Sequence, residues 1–173
     1  MADDFTVLDT PEAIDVRAFW RVLGERASGV SVVTARSSAG PAGFLALSAT
    51  HVSASPPTML VSIDRKTEAL AAVEAAGHFA VNYLPAGSAA LADMFGGKTE
   101  VKGAARFAEG DWMSLKTGAP VLTSALSALD CQVEKLVEVE GTIIAIGRVV
   151  ACFGRGTGNP LVLFRGKYQE LAP

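Results

Sequence analysis

The 173-residue sequence has few of the residues that build metal centres or disulfide frameworks. It contains two cysteines and two histidines, and no C-x-x-C pair. Cys131 and Cys152 are isolated, and neither histidine lies close to them in the sequence. Two such cysteines are expected to be buried, reduced thiols on strands. This scarcity excludes a disulfide scaffold and argues against a metal site.

Charged residues are also few, and neither sign is in large excess. Charged residues make up 19% of the chain, and its net charge is −3 at pH 7. Nucleic-acid binding through phosphates needs a basic face, and the sequence has no Lys/Arg cluster that would supply one. No apolar run approaches the roughly 18 residues of a membrane span. The acidic N-terminus is not expected to begin a signal peptide. The sequence therefore predicts a cytoplasmic protein that binds neither nucleic acid nor membranes.

Apolar residues, in contrast, are abundant, and half of the chain is hydrophobic. The length suits one domain with a real core. We expect residues 1–14 to form an extended N-terminal arm and residues 15–173 to form that domain. The apolar share is high for a lone small domain, so part of it is expected to be buried between subunits.

The hydrophobic pattern predicts many short strands and a few small helices. Asp15 is expected to cap a helix that ends at Gly29. Its apolar stripe is formed by Val16, Phe19, Trp20 and Leu23. Thr67 is expected to cap a helix that Gly77 stops. A third helix is expected at residues 88–95, a turn at residues 37–43, and strands at residues 31–36, 45–53, 58–64, 78–84, 129–140, 142–153 and 160–168. This spacing of strands indicates a β-barrel with helical decoration.

Residues 129–140 alternate between apolar and polar side chains. Cys131 and Val133 belong to the apolar face, and Asp130 and Gln132 belong to the polar one. We therefore expect one face of this strand to contact the core and the other to contact water.

Residues 43–57 read G-F-L-A-L-S-A-T-H-V-S-A-S-P-P. Small side chains here let a flat ligand approach the backbone, whose N–H and C=O groups bond the polar edge of a heterocycle. The alternative is an ordinary turn between two barrel strands. The candidate ligand contacts are Leu45, Ala46, Leu47 and Ser48.

Residues 62–67 read S-I-D-R-K-T, where a strand ends and a helix begins. A helix N-terminus offers free N–H groups and a partial positive charge, which suit a phosphate. The alternative is a solvated turn whose cations face water. The candidate ligand contacts are Ser62, Ile63, Asp64, Lys66 and Thr67.

The first of these segments resembles the flavin-binding loop of the short-chain flavin reductases, whose common form is G-M-T-A-N-S-F-T-S-V-S-L-D-P-P. The positions that match without a gap are Gly43, Ala46, Ser48, Thr50, Val52, Ser53, Pro56 and Pro57. The closing P-L-V-L-F-R-G-K-Y at residues 160–168 resembles the family's P-L-x-x-x-R-G-x-Y. The resemblance runs from about residue 19 to residue 171.

This resemblance implies a mostly β protein with small helices, the FMN-binding split β-barrel. It implies a homodimer with one FMN per subunit, FAD being possible, and hydride transfer from NADH or NADPH to the flavin. Residues 46–48 would then line the isoalloxazine, and Ser62, Lys66 and Thr67 would lie near the phosphate. Phe95 and Gly96 would close the pocket. No side chain is expected to act as a catalytic acid or base, because the cofactor carries the chemistry.

The sequence departs from the family at residues 140–144, which read E-G-T-I-I. Relatives carry G-D-H or G-T-H there, with the histidine near the nicotinamide. Thr142 and Ile143 are thus expected to contact the nicotinamide or the electron acceptor. Two acceptors stay open: a Co(II) corrin in cobalamin biosynthesis, or free flavin for a two-component monooxygenase of the 4-hydroxyphenylacetate type. A non-catalytic FMN storage or sensor module is the third reading.

Overall fold

The computed structural model describes residues 10–12, 14–108 and 110–171, so most of the predicted arm lies outside the described residues. The helices are α1 (Val16–Leu23), α2 (Glu68–Ala76) and α3 (Ala89–Phe95), with a 3₁₀ segment at Gly103–Phe107. The strands are β1 (Ser28–Gly29), β2 (Ser31–Ser37), β3 (Gly40–Ala46), β4 (Thr50–Ala54), β5 (Pro57–Asp64), β6 (His78–Tyr83), β7 (Trp112–Ser114), β8 (Pro120–Leu122), β9 (Ser127–Val139), β10 (Thr142–Gly154), β11 (Leu161–Phe164) and β12 (Lys167–Glu170). The prediction of a mostly β protein with small helices is confirmed.

Seven strands form one antiparallel sheet in the order β3-β2-β6-β9-β10-β5-β4. Strands β1, β11 and β12 form a second sheet, and β7 pairs with β8. Val33 of β2 and Ile63 of β5 lie far apart in the order of the main sheet, yet both belong to one buried cluster. The sheet therefore curls around its core. Its edge strands, β3 and β4, do not pair with each other, so the barrel is split along one side.

Helix α2 closes one side of the core with Leu70 and Val73, which pack against the same cluster as Phe79. It ends where predicted, because Gly77 adopts the left-handed conformation at φ 66° that a residue without a Cβ enters at little cost. Its N-terminus follows Thr67 as predicted, but the Thr67 side chain makes no capping hydrogen bond.

Three predicted boundaries are wrong. Helix α1 begins at the predicted cap, where Asp15 accepts the Ala18 N–H at 2.7 Å, but it ends at Leu23 and not at Gly29. The predicted turn at residues 37–43 shrinks to two residues, because Gly40 takes φ 113° and β3 starts there. The predicted strand at residues 160–168 is a hairpin of β11 and β12.

The predicted strand at residues 45–53 is also wrong, since β3 ends at Ala46 and β4 begins at Thr50. Ser48 explains the break. Its hydroxyl accepts the Ser62 N–H at 3.1 Å and donates to the Ser62 C=O at 3.3 Å. A side chain thus replaces the backbone partner that a continuous strand would have offered to β5.

The alternation predicted for β9 fails at Asp130, which is buried and not exposed to water. The segment before β8 covers it, and its carboxylate accepts the Thr117 N–H at 2.8 Å and the Thr117 hydroxyl at 2.5 Å. Cys131 is buried as predicted, whereas Cys152 is exposed, and both thiols are free. Burial, with the charge of Asp130, raises the pKa of Cys131 to about 12.

The apolar stripe of α1 is not covered by the described part of the chain. Val16 is 74% exposed and Trp20 60% exposed, and Ala18 is the buried residue of this helix. In addition, no helix among the described residues has the length and apolar character that a bilayer span requires.

Candidate functional site: a groove beside the split of the barrel

A groove runs past the end of β3 and the start of α2. Its middle part, the central cavity, measures about 440 Å³. It is lined by Trp20, Leu23, Arg26, Phe44, Leu45, Ala46, Leu47, Ser48, Ser62, Asp64, Thr67 and Thr142. The adjoining part, the cationic end, measures about 360 Å³ and is lined by Gly43, Phe44, Leu45, Lys66, Thr67, Glu68, Phe95, Gly96, Gly97 and Arg106. The two parts share Phe44, Leu45 and Thr67, so the groove is continuous.

The break between β3 and β4 exposes backbone donors beside the central cavity. Ser48 ties the break to β5, as described above. Within the described residues, the N–H groups of Leu47, Ser48 and Ala49 have no hydrogen-bond acceptor. Unpaired backbone donors need a partner from water or a ligand. The break therefore offers a row of donors to the polar edge of a flat ligand, next to the apolar side chains of Leu45 and Leu47.

The turn between β5 and α2 builds the wall shared by both parts of the groove. The Asp64 carboxylate accepts the Lys66 N–H at 2.8 Å, and the Asp64 C=O accepts the Thr67 N–H at 2.8 Å. These bonds fix the backbone but use neither the Lys66 ammonium nor the Thr67 hydroxyl, which have no partner among the described residues. An ammonium and a hydroxyl at a helix N-terminus suit a phosphate.

Sequence reasoning missed Arg106 as a site residue. The Arg106 guanidinium donates to the Val101 C=O at 3.1 Å and to the Gly43 C=O at 3.4 Å, and it lines the same cavity as Lys66. Two cations therefore face one carboxylate, Glu68, at this end of the groove. The sequence signal was weak, because Arg106 lies far in the chain from the segments at residues 43–57 and 62–67.

Aromatic packing fixes the wall behind Arg106. The Phe95 ring lies 5.3 Å from Phe107 and 5.8 Å from Trp112, measured between centroids. A Cβ at Gly43 would lie 2.9 Å from Phe95 Cε1, which is closer than real Cβ atoms approach. Glycine at position 43, which the family's loop also has, is therefore required for steric reasons. Phe95 is only 2% exposed and is mainly a core residue.

A polar clamp holds the turn after α3 that lines the cationic end. The Asp93 carboxylate accepts the Tyr168 hydroxyl at 2.8 Å and pairs with the Lys98 ammonium at 2.8 Å. The Lys98 ammonium also lies 5.2 Å from the Tyr168 ring centroid. The hydrogen bonds from Lys98 and then Tyr168 lower the pKa of Asp93 from its ordinary value. The C-terminal hairpin is thereby joined to the groove.

The structure brings together eleven of the thirteen residues proposed from the sequence. Leu45, Ala46, Leu47, Ser48, Ser62, Asp64, Thr67 and Thr142 line the central cavity, and Lys66, Phe95 and Gly96 line the cationic end. Ile63 and Ile143 line neither part. They pair with each other across β5 and β10, and both side chains point into the barrel core. Of the two residues predicted to replace the missing histidine, only Thr142 faces the groove, which corrects the expectation for Ile143.

Among the described residues, no group of three or more histidine, cysteine or acidic side chains could hold a metal ion. The groove instead combines a cationic helix N-terminus, a flat apolar middle and a row of backbone donors. Such a groove has the lining that a flat, phosphorylated cofactor requires.

The comparisons with known proteins identify the family. The chain belongs to the flavin reductase like domain family, whose model matches residues 23–172. It is 36% identical over 160 residues to FMN reductase (NADH) RutF of Ancylobacter novellus, covering 92% of this chain and 87% of the relative.

Solved structures agree with this assignment. The Streptomyces globisporus NADH:FAD oxidoreductase SgcE6, solved in complex with NAD and FAD fragments, superposes with a TM-score of 0.86 at 28% identity, covering 98% of each chain. Nitrilotriacetate monooxygenase component B from Mycobacterium thermoresistibile superposes with a TM-score of 0.85 at 29% identity, covering 94% of this chain and 89% of that chain. The predicted split-barrel fold and the predicted family are confirmed.

Proposed function

We propose that this chain is an NAD(P)H:flavin oxidoreductase that binds FMN in the groove. The observation that carries the proposal is the cationic end, where Lys66, Arg106 and the start of α2 converge on one cavity. A terminal phosphate there would meet an ammonium, a guanidinium and free backbone N–H groups. FAD contains the same riboflavin phosphate portion and would use the same contacts.

The central cavity fits the flavin ring for a separate reason. Its apolar lining includes Leu45 and Leu47, and the unpaired N–H groups at residues 47–49 suit the polar edge of the ring. The Gly43 position leaves no room for a side chain between β3 and Phe95. These features fit FMN in both its charged and its flat portions.

Bound flavin supplies the hydride-accepting chemistry, and the residues of this chain supply binding and orientation. Lys66, Arg106 and the Thr67 hydroxyl hold the phosphate. Residues 45–48 set the position of the ring and keep water from one face. Thr142 lines the central cavity in place of the usual histidine and offers a hydroxyl to the second substrate.

For the acceptor, we propose free flavin or flavin passed to a monooxygenase partner. The likeness to a monooxygenase component supports this choice. The case for a Co(II) corrin came from the missing histidine, with an apolar Ile143 opening space over the flavin, and Ile143 lies in the core instead. Nothing specific therefore favours the corrin. The cytoplasmic location stays a prediction of the sequence.

A homodimer is a further part of the proposal. The apolar side chains of Val16, Phe19 and Val22 project from α1 without cover from the described chain, and Val52 of β4 and Val139 of β9 are exposed as well. A second copy would remove this apolar surface from water. Light scattering should give twice the monomer mass of 17.9 kDa, and a monomer with flavin bound would contradict the dimer.

The purified protein should be yellow, and boiling should release a compound with the mass of FMN. Anaerobic NADH or NADPH should bleach the bound flavin, and a turnover assay with FMN, FAD, ferric chelates and Co(II) corrins should rank free flavins first. A protein that binds neither FMN nor FAD would refute the proposal. Bound flavin that neither nucleotide bleaches would instead support the storage or sensor module.

A further inference from the structure

The groove continues past the central cavity, away from Lys66. A third part, the helix end, measures about 200 Å³ and is lined in part by Trp20, Leu23, Arg26, Leu47 and Arg165. It shares Trp20, Leu23, Arg26 and Leu47 with the central cavity, but no residue with the cationic end. The central cavity therefore joins two separate ends.

The helix end is positively charged in a chain whose net charge is −3. The Arg165 guanidinium pairs with the Glu25 carboxylate at 2.7 Å, which neutralises both groups. Arg26 has no ion pair or side-chain hydrogen bond among the described residues, and Arg21 lines the adjoining cavity. Within the part of the chain that the structure describes, neither Arg26 nor Arg21 forms an ion pair, so two guanidinium groups beside this cavity have no anionic partner there.

The same end presents an exposed indole. Trp20 is 60% exposed, and its ring makes an edge contact with Phe19 at 5.3 Å between centroids. It faces the groove as well as solvent, since it lines the helix end and the central cavity. An exposed aromatic ring beside unpaired arginines suits a ligand that combines a flat base with phosphates.

We propose that the helix end binds the adenosine diphosphate portion of the NADH or NADPH donor, with the adenine against Trp20 and the diphosphate at Arg26. This inference rests on the proposed function. An FMN bound as proposed places its only phosphate at the cationic end, so it leaves the second set of cations unused. The dinucleotide donor carries the diphosphate and the base that this set matches, and the shared central cavity brings the donor to the flavin.

The test uses adenosine diphosphate ribose, which has the base and the diphosphate but no nicotinamide, titrated by calorimetry into FMN-saturated protein. Arg26→Gln should raise its Kd roughly tenfold, because a charge-assisted hydrogen bond to phosphate is lost. Arg17→Gln is the matched control, since Arg17 lies on α1 but lines none of these cavities. Arg17→Gln should not change the Kd of FMN by more than about twofold, and Arg26→Gln should raise the Kd of adenosine diphosphate ribose more than that of FMN.

Trp20 gives an independent readout. Trp20→Ala should weaken adenosine diphosphate ribose by a factor of about five to one hundred, and Trp20→Phe should recover much of the loss, because a stacked ring contributes about 1–3 kcal/mol. The NADH KM should rise in parallel with these Kd values.

Three outcomes would overturn the inference. Arg26→Gln and Arg17→Gln could bind the probe equally, Arg26→Gln could lose FMN instead, or Trp20→Ala could convert a dimer to a monomer without changing the Kd of the probe. In each case the wild type would still bind FMN and be bleached by NADH, so the proposed function would stand. A wild type without flavin binding would refute both.

Discussion

The cationic end and the helix end of the groove both present cations, but they are built differently. At the cationic end, Arg106 is held by two backbone carbonyls, and the wall behind it is a packed cluster around Phe95. At the helix end, Trp20 lies on an eight-residue helix that has little buried surface, and Arg26 follows this helix in the chain. A rigid end suits a cofactor that stays bound, and an exposed end suits a substrate that must enter and leave.

The largest expected difference between the two ends concerns stability. Phe95→Ala should lower the free energy of unfolding by about 3–5 kcal/mol, because it leaves a cavity between Phe107 and Trp112. Trp20→Ala, at an exposed position, should change it by less than about 1 kcal/mol. Urea unfolding measures both. Equal losses would show that the helix end is as well packed as the cationic end.

A second comparison concerns Thr142 and Ile143, which occupy the positions where relatives carry the histidine. Ile143→His should cost about 1–3 kcal/mol of stability, because it buries an imidazole without a partner in the core. Thr142→His should leave stability nearly unchanged and should tighten nicotinamide binding by about 0.5–1.5 kcal/mol, through one added hydrogen bond. Unfolding curves and the NADH KM of both variants test this. If both variants lost the same stability and changed the NADH KM equally, the placement of β10 would be contradicted.

These neighbours also show what the sequence can and cannot predict. Local rules found strand β10, the start of α2 after Thr67 and its end at Gly77, because each depends on residues close in the chain. They could not tell which of Thr142 and Ile143 faces the groove, because that depends on the register with β5. Asp130 was misassigned because Thr117, which lies outside β9, covers its carboxylate. Arg106 lines the same cavity as Lys66 only because the fold brings distant segments together.

A smaller effect is expected at the clamp that supports the cationic end. The folded-state pKa of Asp93 lies below its ordinary value of 3.8, because Lys98 and Tyr168 stabilise the carboxylate. This stabilisation is complete above the ordinary value and is lost as the pH falls through the lowered one. Asp93→Asn should therefore be less stable than the wild type at pH 6, and the gap should close as the pH falls below 3.8.

Urea unfolding across this pH range measures the gap. Glu100→Gln, which alters an exposed carboxylate outside the clamp, serves as the control and should show no such trend. A gap for Asp93→Asn that stays constant as the pH falls would show that the clamp does not depend on the ionised carboxylate.

The most direct test of the account is whether Lys66 recognises the phosphate of the flavin. Fluorescence titration should show that the wild type binds FMN more tightly than riboflavin, which lacks the phosphate. Lys66→Ala should weaken FMN roughly tenfold to hundredfold, since a charge-assisted bond contributes about 1.5–3 kcal/mol, and should leave riboflavin affinity unchanged. Lys116→Ala, an exposed lysine outside the groove, should change neither. If Lys66→Ala weakens FMN and riboflavin equally, or weakens neither, the phosphate is not bound at the cationic end.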